Sequence, residues 1–260
     1  QFKGSELKGR TMGVLGLGAI GSMVAEMALQ MEMEVLGFDP ALSVEAAWRL
    51  SSQVRKMENM QALFAQSDVV SIHVPALDST RGMINKETLA SFRDGAVLLN
   101  FAREELVNTN DMIVALESGK ISQYISDFPT PELIGKAGVT STPHLGASTA
   151  EAEENCAMMV ADQMIDFLEN GNIRNSVNFP ALTLERTDGF RIALSNNNVP
   201  RILGSVLSIL ADRNINVIDM LNKSRDDIAY NLIDVASEPT ADLINDIEMI
   251  DGVINARSLG

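Results

Sequence analysis

The chain has 260 residues, 46% of them hydrophobic and 21% charged, with a formal net charge of −15. That composition excludes wholesale disorder, the length predicts one or two full-sized domains, and the acidity argues against binding nucleic acid through a basic patch. One cysteine, Cys156, and two histidines leave no disulfide framework and almost nothing for a metal site, so none is expected.

The longest apolar run, Gly13 to Leu29, carries four glycines and Glu26. It falls short of the roughly 20 residues of a spanning helix. No basic segment and small-residue cleavage site mark a leader, so the chain reads as soluble and cytoplasmic.

In chain order, short apolar runs predict strands over Thr11–Leu15, Val35–Phe38, Asp68–His73, Ala96–Phe101, Tyr124–Asp127 and Val139–Thr142. Helical spacing lies between them; Ile20, Met23, Val24 and Met27 make one apolar stripe. This alternation predicts an α/β domain with a doubly wound parallel sheet covered on both faces. A long helix follows over Ser148–Glu169, stopped by Asn170-Gly171. Cys156 in that helix reads as core packing beside Met159 and Val160.

Residues Asn172–Thr187 have little periodicity and read as a linker. Strands are then expected over Phe190–Ser195, Ile215–Asn222, Ile228–Ala236 and Val253–Leu259, with helices over Pro200–Arg213 and Thr240–Ile250. The second and third of these strands are separated by a Ser-Arg-Asp-Asp turn. The order βαββαβ is the ferredoxin-like arrangement. Three segments result: 1–147 as a dinucleotide-binding domain, 148–187 as helix and linker, and 188–260 as a small second domain.

The strongest local signal is Gly16-Leu17-Gly18-Ala19-Ile20-Gly21, which follows a strand and opens a helix. Gly16 allows the tight turn, Gly18 lets the backbone approach a pyrophosphate, and Gly21 lets helix and strand pack closely. Asp39 ends the next strand 18 residues after Gly21, near the spacing of a ribose-binding acid. A carboxylate there repels a 2′-phosphate, and no arginine follows in Pro40-Ala41-Leu42, so NAD is favoured over NADP.

Three more residues stand just beyond or at predicted strand ends, where open α/β sheets bind ligands. His144, in Thr142-Pro143-His144-Leu145-Gly146, is a candidate proton shuttle against the blander reading of a hydrogen-bonded loop histidine. Arg103 suits an acidic substrate through a bidentate grip on its carboxylate, although a surface salt bridge would use the same residue. His73 reads as shaping the cofactor crevice rather than as a catalyst.

Together the segments ELKGRTMGVLGLGAIG, SIHVPALDSTRGMIN, VLLNFAR, YISDFPTPE and TPHLGAST, in this order, resemble the D-2-hydroxyacid dehydrogenase family with its Rossmann-type NAD-binding domain. The ferredoxin-like tail is similar to an ACT regulatory domain, which points to the branch of the family that oxidises 3-phosphoglycerate. The resemblance implies that Arg103 binds the substrate carboxylate and that His144 takes the C2 hydroxyl proton. Glu132 would hydrogen-bond His144 and favour its protonated form, and Asp127 would contact the nicotinamide carboxamide. Ala19, Ile20, Asp39, Val74, Pro75, Phe101, Ala102 and Gly146 would complete the NAD site, which Arg103 and His144 would also touch. In the tail, Asn196, Asn198 and Asn216 match positions that bind serine as a feedback effector.

The chain departs from the family pattern at several points. Glu104 follows Arg103 where glycine is usual and could compete for the guanidinium. The family often reads Asp-Val-Phe-x-x-Glu; counting five from Asp127 selects Glu132, while counting three from Phe128 selects Pro131. Asn196 and Arg201 stand where similar effector domains often have histidine and glycine. Only ten residues precede the first predicted strand and fifteen the glycine motif, so the chain is expected to lack part of a substrate domain and to turn over poorly by itself. Other readings are a dehydrogenase for another D-2-hydroxyacid and a non-catalytic NAD-sensing interaction protein. Open sheet edges lead us to expect a homo-oligomer.

Overall fold

The computed structural model describes residues 4–260. Its contacts divide the chain into two compact units that meet at Leu145/Gly146.

The first unit is built on a seven-stranded sheet of β1 (Thr11–Leu15), β2 (Glu34–Phe38), β3 (Arg55–Lys56), β4 (Val69–Ile72), β5 (Ala96–Asn100), β6 (Ile121–Ser126) and β7 (Val139–Ser141). Every pairing is parallel and the order is β3-β2-β1-β4-β5-β6-β7. Helices α1 (Ala19–Gln30), α2 (Val44–Arg49), α3 (Met60–Gln66), α4 (Lys86–Ala90) and α5 (Thr109–Glu117) make the crossovers. One apolar cluster, with Leu15, Ile72, Leu98, Ile121 and Phe64, fills one side of the sheet; Val14, Leu17, Ala25, Ala28 and Val35 pack in another. This is the expected doubly wound α/β fold. Leu98, Ile72 and Val70 are fully buried, as strands covered on both faces should be. The sequence pattern did not reveal β3, a two-residue edge strand with both residues exposed.

The second unit begins with α6 (Ala150–Asn170) and carries a four-stranded antiparallel sheet. Its strands are β8 (Phe190–Asn197), β9 (Val217–Arg225), β10 (Ile228–Val235) and β11 (Val253–Leu259) in the order β11-β8-β10-β9, with α7 (Ile202–Asp212) and α8 (Ala241–Glu248) as connections. That order is the ferredoxin-like βαββαβ topology. The turn between β9 and β10 is shorter than expected: β9 runs through Arg225, leaving only Asp226-Asp227, and Asp226 takes φ +53°.

Two expectations for this unit are corrected. Residues 172–187 are not a loose linker: Ile173 and Leu182 exchange backbone hydrogen bonds, and both are buried with Ala193, Tyr230, Leu232 and Leu259 on one face of the sheet. The other face is covered by Val206, Leu210, Leu243 and Ile247 of the two helices. Cys156 is exposed rather than in a core, because α6 has no fully buried residue along its 21 positions.

The segment is held by the most buried ion pair of the chain's described residues. Arg191 and Asp234, with side chains 0% and 1% exposed, face each other across β8 and β10, with Arg191 Nε 2.6 Å from Asp234 Oδ1. Arg191 also donates to the carbonyls of Asn170, Leu184 and Glu185, and Asp234 accepts from Thr187. Burial raises the Asp234 carboxyl, but the Arg191 and Thr187 hydrogen bonds outweigh it and hold the group below its ordinary range. A buried pair is tolerable only when its remaining donors are satisfied in this way.

No helix among the described residues is long and apolar enough to cross a membrane.

Arg201, which precedes α7, has φ +81°, and its side chain makes no capping hydrogen bond. A side chain in that region costs about 1–2 kcal/mol relative to glycine, partly offset by glycine's freer unfolded chain. Arg201→Gly is therefore expected to stabilise the second unit by about 1 kcal/mol, read from denaturant midpoints; no gain would show that Arg201 makes a compensating contact.

Candidate active site

In a parallel sheet all strand C-termini point the same way, and six of the seven present a residue singled out from the sequence. Gly16 follows β1, Asp39 β2, His73 β4, Phe101 to Arg103 β5, Asp127 β6, and His144 lies three residues past β7. The strand order reverses between β1 and β4, the crevice in which such sheets take ligands.

The glycines divide their labour by space. Gly16 has φ +89°, and a Cβ there would meet the His73 carbonyl at 2.8 Å. A Cβ on Gly21 would lie 1.9 Å from the Gly16 carbonyl oxygen. At Gly18 nothing lies within 4 Å of the Cβ position, so its small size is not required by packing of the protein itself. Helix α1 begins at Ala19 with no side-chain cap and no acidic residue in its first turn. Helices α2, α3, α4, α5, α6 and α8 are all capped by a Ser, Thr or Asn side chain. The unpaired N–H groups at Ala19, Ile20 and Gly21 therefore remain free for an anion such as a pyrophosphate.

Asp39 braces the same loop: Oδ2 accepts from Leu17 N at 2.8 Å and Oδ1 from Ala41 N at 2.9 Å. Each carboxylate oxygen keeps a second lone pair for a ribose hydroxyl. Val74 packs against the core and Pro75 accepts from Thr80. His73 sits behind Gly16 with Nε2 2.8 Å from Ser71 Oγ, and burial pushes its pKa from 6.5 to about 4. It is neutral at physiological pH, in keeping with a shaping role.

Beyond β5, buried Asn100 fixes the loop by donating to the Arg103 carbonyl at 2.9 Å and to Tyr124 Oη at 3.1 Å, and by accepting from Ala102 N. The Phe101 ring and the Arg103 side chain are exposed, Ala102 half-buried. Arg103 does not pair with Glu104; its Nη1 donates to the Ala102 carbonyl, and its guanidinium carbon lies 5.8 Å from the Phe128 ring centroid. The other edge of this group is His144, whose ring is 4.5 Å from that of Phe128. Arg103, Phe128 and His144 thus form one cluster; Phe128 was not singled out from the sequence, although its place beside Asp127 was the available signal. Gly146 opens the second unit.

The partner of His144 differs from the one expected. His144 Nδ1 lies 2.7 Å from Asp127 Oδ2. Glu132 is exposed and forms no hydrogen bond or ion pair among the described residues. Its neighbour Leu133 is buried in the core cluster, within a turn in which Leu133 and Ile134 donate to the Thr130 carbonyl. Asp127 Oδ1 is buried with no hydrogen-bond partner, an acceptor that a ligand amide could satisfy.

Of the tail residues, Asn196 is buried and committed: its amide donates to the Asn197 carbonyl and its oxygen accepts from Asn231. Asn198 is exposed and ties β8 to the Asp226 carbonyl, and Asn216 lies one residue before β9, exposed. The structure thus leaves Asn198 and Asn216 open to solvent and closes Asn196.

Residues 1–146 match the family model described as D-isomer specific 2-hydroxyacid dehydrogenase, NAD binding domain. The chain belongs to that family. Its cofactor is NAD, in agreement with the open glycine loop and Asp39. Among curated relatives, the chain is 32% identical to D-3-phosphoglycerate dehydrogenase of Haemophilus influenzae over 98% of this chain and 64% of that protein. It is 33% identical to D-3-phosphoglycerate dehydrogenase of Bacillus subtilis over 80% of this chain and 39% of that one. The chain therefore spans less than two thirds of the length of these relatives. A solved structure of a glyoxylate reductase from Paecilomyes thermophila superimposes with a TM-score of 0.60 at 29% identity, covering 67% of this chain and 54% of that one. The NAD-complexed D-isomer specific 2-hydroxyacid dehydrogenase from Lactobacillus delbrueckii gives 0.58 at 27%, covering 66% and 57%.

Two tests follow from this dehydrogenase-family site. Gly18→Ala is expected to change unfolding free energy by less than about 1 kcal/mol yet lower NADH affinity at least tenfold, whereas Gly21→Ala costs about 2 kcal/mol or more in stability. Fluorescence titration and denaturant unfolding separate them; unaltered NADH binding in Gly18→Ala would remove the pyrophosphate from this loop. His73 takes up its proton less readily in the folded state, so its contribution is intact above pH 6.5 and lost as pH falls toward 4. Lowering the pH from 7.5 to 5 should cost the wild type about 2 kcal/mol more than His73→Asn, and equal pH slopes would contradict the shift.

Proposed function

We propose that the chain carries the catalytic and cofactor half of an NAD-dependent dehydrogenase that oxidises 3-phospho-D-glycerate to 3-phosphooxypyruvate. The observation that carries the reading is the match to D-3-phosphoglycerate dehydrogenase running through both units of the chain, 98% of its length. The cluster of Arg103 and His144 against Phe128 supplies the chemistry such a reaction needs.

Arg103 receives the substrate carboxylate, using the donors not committed to the Ala102 carbonyl. Its positive charge also polarises the C2 oxygen. The glycine loop and Asp39 would hold NAD, which would supply the acceptor for the C2 hydride. His144 Nε2 takes the hydroxyl proton as the C2–O bond becomes a carbonyl, and returns it in the reverse direction. Gly16, Gly18, Ala19, Ile20 and Gly21 hold the pyrophosphate and Asp39 the ribose. The second unit is read as an ACT-like regulatory domain with serine as effector, where Asn216 is exposed and Asn198, its amide held by the Asp226 carbonyl, keeps its side-chain oxygen for a ligand. Association of edge strands β9 and β11 into a homo-oligomer and a cytoplasmic location complete the proposal.

The reading is tested by NADH oxidation with 3-phosphooxypyruvate against unphosphorylated hydroxypyruvate, using this chain and the chain with any natural extension before Gln1. Preferential turnover of the phosphorylated acid supports it, and equal turnover shifts the assignment to another D-2-hydroxyacid. His144→Ala should lower kcat by about 10²–10⁴ with NADH binding within a few-fold of wild type. Binding without turnover in every wild-type form would overturn the enzyme and leave a sensor.

A further inference from the structure

The geometry points to Asp127, and not Glu132, as the carboxylate that positions His144 as the acid–base; the inference rests on the dehydrogenase reading above. Asp127 Oδ2 is 2.7 Å from His144 Nδ1, well within the range of a charge-assisted hydrogen bond. The two ends of that bond differ sharply in exposure: the Asp127 carboxylate is 8% exposed and the imidazole 56%. The fixed member is thus the acid, anchored where β6 ends, and the ring projects from it toward solvent and substrate.

The backbone makes the acid rigid. Phe128 N donates to Ser126 Oγ at 3.0 Å, closing the turn that carries Asp127 between them. Phe128 then places its ring against His144, so the imidazole is held by a hydrogen bond on one atom and a ring contact on its face. Among the described residues the carboxylate has no cationic partner other than His144. The carboxylate therefore stands beside the ring that carries the positive charge once His144 has taken the substrate proton.

The pairing also fixes the tautomer. With Asp127 accepting at Nδ1, the proton resides there and Nε2 keeps its lone pair free as the base. No bond of the substrate is touched by Asp127, which makes it a positioning residue. Glu132, exposed beside the buried Leu133, makes no hydrogen bond or ion pair with His144.

The experiment compares wild type, Asp127→Asn and Glu132→Gln, with His144→Ala to assign the resonance. Long-range proton–nitrogen NMR on the 260-residue chain reads the His144 tautomer. Wild type and Glu132→Gln are expected in the Nδ1–H form and Asp127→Asn in the Nε2–H form, with folding of each checked by circular dichroism and thermal unfolding. In the turnover assay, Asp127→Asn should lower kcat by about 10²-fold or more with KM for the acid within a few-fold, and by at least ten times more than Glu132→Gln does. An unchanged tautomer in Asp127→Asn, or the larger loss of kcat in Glu132→Gln, would overturn the assignment. A wild type silent with every 2-oxoacid overturns the dehydrogenase reading instead, and the tautomer comparison still decides the pairing.

Discussion

The contact between Gly21 and the carbonyl of Gly16 is the constraint on which the first unit is organised. A space too small for a single methyl brings the first turn of α1 down onto the end of β1. The helix therefore starts at the point where the strand order reverses, and its unpaired amides face the crevice instead of the bulk solvent. Had α1 been displaced outward to admit a Cβ, the same amides would point past the crevice. Gly16 contributes the second half of this arrangement, since its φ of +89° and its closeness to the His73 carbonyl fit β1, β4 and α1 together at one corner.

From that corner the site extends along the sheet's C-terminal edge by a series of loops, each fixed by one polar side chain, half-buried at Asp39 and buried at Asn100 and Ser126. Asp39 holds the glycine loop, Asn100 the Arg103 loop, and Ser126 the turn bearing Asp127. The charged groups proposed for the chemistry are the exposed ones. Arg103 and His144 stand outside, while the residues that aim them are inside. This division keeps reactive side chains accessible without leaving them free to wander.

The parallel sheet was legible because doubly buried strands such as Val69–Ile72 and Ala96–Leu99 are apolar throughout, and β1 and β11 fall on the expected residues. The edge strand β3 carries Arg55 and Lys56 and has no such signature. Segment 172–187 read as a linker because its order comes from two apolar anchors, Ile173 and Leu182, and from carbonyls captured by a distant arginine. No local period reports such a partner. Cys156 misled for the opposite reason: Met159 and Val160 beside it suggest a core, yet α6 presents them to solvent. At the site, Gly16, Asp39, Arg103 and His144 were visible because strand ends can be located in a sequence. Which carboxylate meets His144 was not, since counting along the chain does not report which acid stands beside the imidazole in space.

The buried Arg191–Asp234 pair also sets an order of events as the chain is made. Asp234 lies 43 residues after Arg191, and until it is in place the guanidinium has no counter-charge to enter the interior. The carbonyls of Asn170, Leu184 and Glu185 are held by that same guanidinium. The end of α6 and the segment after it therefore cannot settle until β10 has been synthesised and paired with β8. The first unit, complete by Leu145, can close while this later part still waits for its partner strand.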